Sequence, residues 1–81
     1  NELERLDRAL AYLTEHRSQR PSVTVTYFVP DEKKSGGAYI SREGAFKAVD
    51  RDRRLIILTD GSAIPIPDVL TLDSEILPHD I

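Results

Sequence analysis

At 81 residues, with no Cys, Met or Trp and a net charge of −3, the chain is sized for one small domain with a single core, and disulfide scaffolds and thiolate metal sites are excluded. In residues 1–20 four acids (Glu2, Glu4, Asp7, Glu15) balance four arginines (Arg5, Arg8, Arg17, Arg20), so the excess acid lies wholly in residues 21–81 and disfavours a general affinity for phosphate backbones. The longest unbroken aliphatic run, Leu55–Leu58, is far too short for a membrane span and no basic, apolar signal leads the chain, so a soluble, cytoplasmic protein is expected.

The first element is NELERLDRALAYLTEHRSQRP, which opens at Asn1 without an initiator Met, as a fragment of a longer protein would. Leu3, Leu6, Leu10 and Leu13 recur at helical spacing along one stripe. Asn1 with Glu4 imitates a capping box, and Arg17 and Arg20 suit the carboxyl end before Pro21 stops the run. A helix over 2–18 is predicted. So short a helix is marginal alone in water, so its stripe needs cover, and packing on its own domain is the expected cover.

After Pro21 the period changes from helical to alternating. SVTVTYFV places Val23, Val25, Tyr27 and Val29 on one face and Thr24, Thr26 and Phe28 on the other, as in a strand. PDEKKSGG, residues 30–37, reads as a polar loop. GAYISREGAFKAVD reads as a second strand, with Gly44 marking a bend or bulge of the kind that curls a sheet into a barrel. Asp50 to Arg53 turn the chain, RLIILT and SAIPIP flank a DG turn as strands three and four, PDV makes a single helical turn, and LTLD is strand five. The strands thus fall within 22–73 of a single domain spanning 1–81, with 74–81 a tail.

A two-residue turn at Asp60 and Gly61 would pair Thr59 with Ser62, Ile57 with Ile64 and Leu55 with Ile66 as hydrogen-bonded partners. Leu55, Ile57, Ile64 and Ile66 would then share the core face, joined by Phe46 and Ala48 if Val49 pairs with Arg54. Ile56, Leu58, Ala63 and Pro65 would form an apolar reverse face. The amides of positions 63, 65 and 67 would point away from strand three. Pro65 and Pro67 both belong to that set, so they leave the hairpin intact and remove donors from its outer side, an edge protection.

One helix followed by five short strands is the order of elements in small Sm-like and SH3-like barrels, mainly β with one N-terminal helix. The stretch VTVTYF, the glycine-led GAFKAVD, then RLIILTDG and IPIPDVLTL, with a helix ahead of them, resembles the YolD-like family of small bacterial proteins over residues 22–73. The resemblance implies an Sm-like barrel and an accessory role beside a DNA-damage-inducible (Y-family) polymerase of the SOS response. It implies no catalytic residue.

The titratable residues point the same way. His16 near the helix end and His79 in the tail have no carboxylate or nucleophile at motif spacing, and Asp50 and Asp52 alternate with Arg51 and Arg53 without the ligand series of a calcium loop. No glycine opens a phosphate cradle. Neither an enzyme nor a cofactor is expected. The leading expectation is a protein-interaction module that docks a partner through Ile56, Leu58 and Pro65 on the reverse face or through the leucine stripe, unless helix and reverse face cover each other. The alternative is an Sm-like nucleic-acid module using Arg51, Arg53 and Arg54 at a hairpin tip beside Phe28 or Tyr39 as stacking groups. Sm rings close by pairing strand four with strand five of the next subunit, and the prolines argue instead for a monomer or a small oligomer.

Overall fold

The computed structural model describes residues 2–33, 36–79 and 81, so the Asn1 cap and the Lys34–Ser35 part of the predicted loop lie outside the described residues, as does the side chain of Leu3. Helix α1 runs from Glu2 to Glu15 and is followed by a 3₁₀ turn, Arg17–Gln19. It ends earlier than the predicted residue 18 because its last turn tightens. The His16 amide is shared between the carbonyls of Tyr12 (3.2 Å) and Leu13 (3.1 Å), the step from α to 3₁₀ bonding. The Arg17 guanidinium donates to the Thr14 carbonyl at 3.0 Å, which satisfies an orphan acceptor of the helix end. Arg20 then takes a left-handed conformation, φ 49°, and turns the chain into Pro21.

Five antiparallel strands follow: β1 Ser22–Pro30, β2 Gly37–Asp50, β3 Leu55–Leu58, β4 Ala63–Pro65 and β5 Val69–Ser74. A 3₁₀ turn, Ile66–Asp68, joins the last two at the predicted single helical turn. The sheet order is β4-β3-β2-β1-β5. β4 and β5 are its outer strands and no ladder joins them, so the barrel expected from the element order is here an open sheet. The physical reason lies in β4, which is only three residues long and then coils into the 3₁₀ turn.

β2 organises the sheet by changing partner along its length. Up to Ala45 it pairs with β1, and from Phe46 onward with β3. Gly44, expected to mark a bend or bulge, lies in regular pairing with Val23; a Cβ there would lie 3.1 Å from Leu58 Cδ1, so the missing side chain gives Leu58 room. The bulge falls three residues later. Lys47 has no partner in β3, which brings Phe46 and Val49 onto the same inward face and leaves Ala48 half-buried beside Ile57.

The core is built from Leu10 and Leu13 of α1, Val23, Val25 and Tyr27 of β1, Phe46 of β2, Ile56 and Leu58 of β3 and Ile64 of β4. α1 packs on β2 and β5, so its stripe is covered by its own sheet. Each fully buried Leu or Ile contributes about 1.5–3 kcal/mol of transfer free energy.

The hairpin register departs from the expectation by one residue. Leu55 faces Pro65, Ile56 faces Ile64 and Ile57 faces Ala63. The loop is Thr59-Asp60-Gly61, closed by the Leu58 amide on the Ser62 carbonyl (2.9 Å) and the Gly61 amide on the Leu58 carbonyl (3.0 Å), with Gly61 at φ 90°. This is the three-residue loop with a left-handed third position, where a two-residue turn was expected. Because side chains alternate, a one-residue slip exchanges the faces of β3. Ile56 and Leu58 are therefore core residues, and Leu55 and Ile57 are half-buried on the other face. The turn before β3 is displaced by one residue as well, to 51–54: Asp50 pairs with Leu55, so Val49 faces Ile56 rather than Arg54, which sits in the turn at φ 56°.

Candidate functional site

The structure corrects the interaction surface expected from the sequence. Ile56 and Leu58 are 0% exposed, so they offer nothing to a partner, and Pro65 is half-buried in β4. The nucleic-acid set is not assembled either. Arg51, Arg53 and Arg54 are exposed in the turn after β2, with the Arg53 amide bound to Asp50 Oδ1 at 3.0 Å. Phe28 and Tyr39 are cross-strand neighbours, edge to face at 5.4 Å, at the opposite end of the 14-residue β2. Among the described residues no group of three His, Asp or Glu side chains is placed to hold a metal ion, and no helix is long and apolar enough to cross a membrane.

The sheet margins differ in a way that hydrogen-bond parity makes explicit. On β4, the Leu58–Ser62 bond and the Ile66 amide donating to the Arg54 carbonyl (2.9 Å) fix positions 62, 64 and 66 as facing β3. Positions 63, 65 and 67 face outward, and Pro65 and Pro67 have no amide hydrogen. The expected direction of the prolines therefore holds although the β3 partner of each residue has moved by one.

The amino-terminal half of β2 is the opposite case. The bonds from Phe46 to the Pro21 carbonyl (2.8 Å) and from Asp31 to the Gly36 carbonyl (3.1 Å) bracket the β1–β2 ladder. Even-numbered β2 residues from 36 to 46 therefore bond to β1, and the amides and carbonyls of Gly37, Tyr39, Ser41 and Glu43 point away from it. Ala45, next in the outward series, gives its carbonyl to the Thr59 amide at 2.9 Å. The four outward residues before it have no backbone partner among the described residues. β3 ends too soon to cover them, being four residues long against fourteen in β2.

Apolar side chains flank this open edge. Val29 is 39%, Tyr39 59% and Ile40 40% exposed, with Ile40 and Val29 continuing the inward face past the core and Tyr39 on the other face with Phe28. Gly37 fixes the pitch of this ribbon: a Cβ there would collide with the Val29 carbonyl oxygen and sit 2.6 Å from Phe28 Cζ. At the other end Arg42 ties the edge down, with Nε on the Tyr27 hydroxyl (3.4 Å) and a terminal nitrogen on Ser62 Oγ (3.1 Å). The Tyr27 hydrogen bond holds the Arg42 pKa above its ordinary value. In the adjoining loop the Ser62 amide donates to the Asp60 carboxylate at 2.8 Å, and this bond, followed by one from the Ser62 side chain, pulls the Asp60 pKa down.

Sequence patterning missed this edge because alternation reports faces, while an edge depends on how far a neighbouring strand runs. The available signal was the mismatch between a long second strand and a short third. No family model matches the chain, and comparison with curated proteins and with solved structures also gives no match.

Proposed function

We propose that this chain is a non-catalytic protein-interaction module that takes up an extended segment of its partner by strand addition along Gly37–Glu43. One observation carries the reading: the β4 margin lacks donors at Pro65 and Pro67, whereas along the uncovered half of β2, the longest strand, Gly37, Tyr39, Ser41 and Glu43 offer every amide and carbonyl. An added strand gains main-chain hydrogen bonds worth about 0.5–1.5 kcal/mol each net. Val29 and Ile40 on one face and Tyr39 on the other select a segment with apolar residues at alternate positions.

Although the sheet is open, its strand order β4-β3-β2-β1-β5 and the 3₁₀ turn between β4 and β5 support reading the fold as a relative of the small Sm-like or SH3-like folds. With the YolD-like resemblance it makes a DNA-damage-inducible Y-family polymerase the first partner to test. The alternative nucleic-acid reading has its arginines and aromatics at opposite ends of β2, which leaves no stacking groups beside the cations.

The test is calorimetric titration of a purified Y-family polymerase with the chain and two variants. Ser41→Pro removes an outward amide of β2 and is expected to weaken binding at least tenfold. Ala63→Pro removes an outward amide of β4 and should bind as the parent does. Equal binding by both variants would refute the edge, and no binding by the parent would refute the polymerase as partner.

A further inference from the structure

A second feature is independent of the β2 edge. Where α1 ends, an open depression of about 420 Å³ is lined by Arg17, Ser18, Arg20, Phe46, Lys47 and Thr59. Its three cations come from three places in the fold: the 3₁₀ turn, the linker into β1 and the β2 bulge. No carboxylate is among the lining residues, although the chain is net acidic. Among the described residues the one ion pair is Arg8 with Glu4, so none of the three cations is neutralised by a carboxylate. Ser18 and Thr59 add hydroxyl donors, and the fully buried Phe46 gives a fixed floor.

Two backbone features argue that these side chains are placed for use. Arg20 occupies a left-handed position that a glycine would fill without steric cost, so its side chain is held there at some cost to the backbone. Lys47 is the unpaired residue of a bulge, a device that re-aims one side chain of a strand. Two guanidinium groups, an ammonium and two hydroxyls lining one depression, with no acid among them, are the donor set that suits a tetrahedral oxyanion.

We infer that the depression formed by Arg17, Arg20 and Lys47 is a binding site for a phosphate group. The group is either free phosphate or a phosphomonoester, or the phosphodiester of a nucleic-acid strand, and the chemistry of capture is the same. The test is ¹⁵N-resolved titration with inorganic phosphate, with ionic strength held constant by sodium chloride, and in parallel with the dinucleotide dTpdT. Saturable shifts confined to the amides of Ser18, Arg20, Lys47 and Thr59 are expected. Arg20→Gly and Lys47→Gln should each weaken binding roughly two- to fivefold, the range for exposed charge contacts, while the amide spectrum stays otherwise unchanged. Saturation by inorganic phosphate alone assigns a small phosphorylated ligand, and saturation by dTpdT as well assigns a strand. Saturation by neither, or shifts spread equally over Arg51, Arg53 and Arg54, would overturn the site.

Discussion

Ile56 and Ile57 are adjacent and chemically identical, yet the loop of three residues gives them different surroundings. Ile56 is wholly buried against Ile64 and Val49, whereas Ile57 lies half-buried between Ala48 and Ala63. Replacing Ile56 with Ala should cost about 2–5 kcal/mol, and replacing Ile57 should cost about 1–3 kcal/mol less, because only the first leaves a closed cavity. Urea denaturation of both variants measures the difference, and the reverse order would restore the two-residue turn. That turn was the natural reading, since Asp followed by Gly suits both loops and nothing in the residue types says whether Thr59 belongs to the strand or to the turn. Asp60 carries a pH dependence of its own. Its folded pKa is depressed by the Ser62 hydrogen bonds, so its contribution is present above the unfolded value, about 3.9, and is lost as pH falls through the lower folded value. Asp60→Ala should therefore destabilise at pH 7, and the difference from the parent should shrink as the pH falls through the depressed folded value. A gap that persists in acid would mean the carboxylate is not the group that matters.

At the scale of elements, α1 and the sheet depend on each other. Ala9, Leu10 and Leu13 are buried, and Leu10 and Leu13 sit among the core residues of four strands. Removing residues 1–20 strips that cover and is expected to yield a chain that aggregates or lacks dispersed amide resonances. A stable, monomeric truncation would show that the sheet closes its core alone. The helix, the five strands and the connecting helical turn were legible because each rests on local signals: the leucine stripe, the alternation in SVTVTYFV, and breakers at Pro21, Gly37, Gly61 and Pro67. The bounds of β2 are those the sequence reading placed, 37–50. Pairing lengths were not legible. Where β3 stops covering β2 follows from the bulge at Lys47 and the loop at Thr59, which flank the buried Phe46 and Leu58 and which no local pattern of residue types marks. The interaction surface was misplaced for the same reason, since assigning Ile56 and Leu58 outward followed directly from the register.

For the whole molecule, the unequal margins of the sheet govern assembly. A ring through β4 would have to form its ladder against Pro65 and Pro67, forfeiting two donors worth about 0.5–1.5 kcal/mol each. Sedimentation at micromolar concentration should give a monomer or a small oligomer, and a hexameric or heptameric species paired through residues 63–67 would contradict the account. The open edge of β2 is where the proposed segment would enter. Arg42 and Glu43 put charge at one end of it, which discourages indiscriminate pairing while leaving the stretch from Gly37 to Ser41 to a matched segment.

Residue-resolved amide exchange along β2, with and without the Y-family polymerase, tests the edge most directly. In the free chain Ile40 and Arg42, which donate to β1, should exchange slowly, and Tyr39 and Ser41 should exchange nearly as fast as an unstructured peptide. With polymerase bound, Tyr39 and Ser41 should slow at least tenfold while Ile40 and Arg42 change little. If Tyr39 and Ser41 are already as protected as their neighbours in the free chain, or stay fast at saturation, the edge is not the docking site.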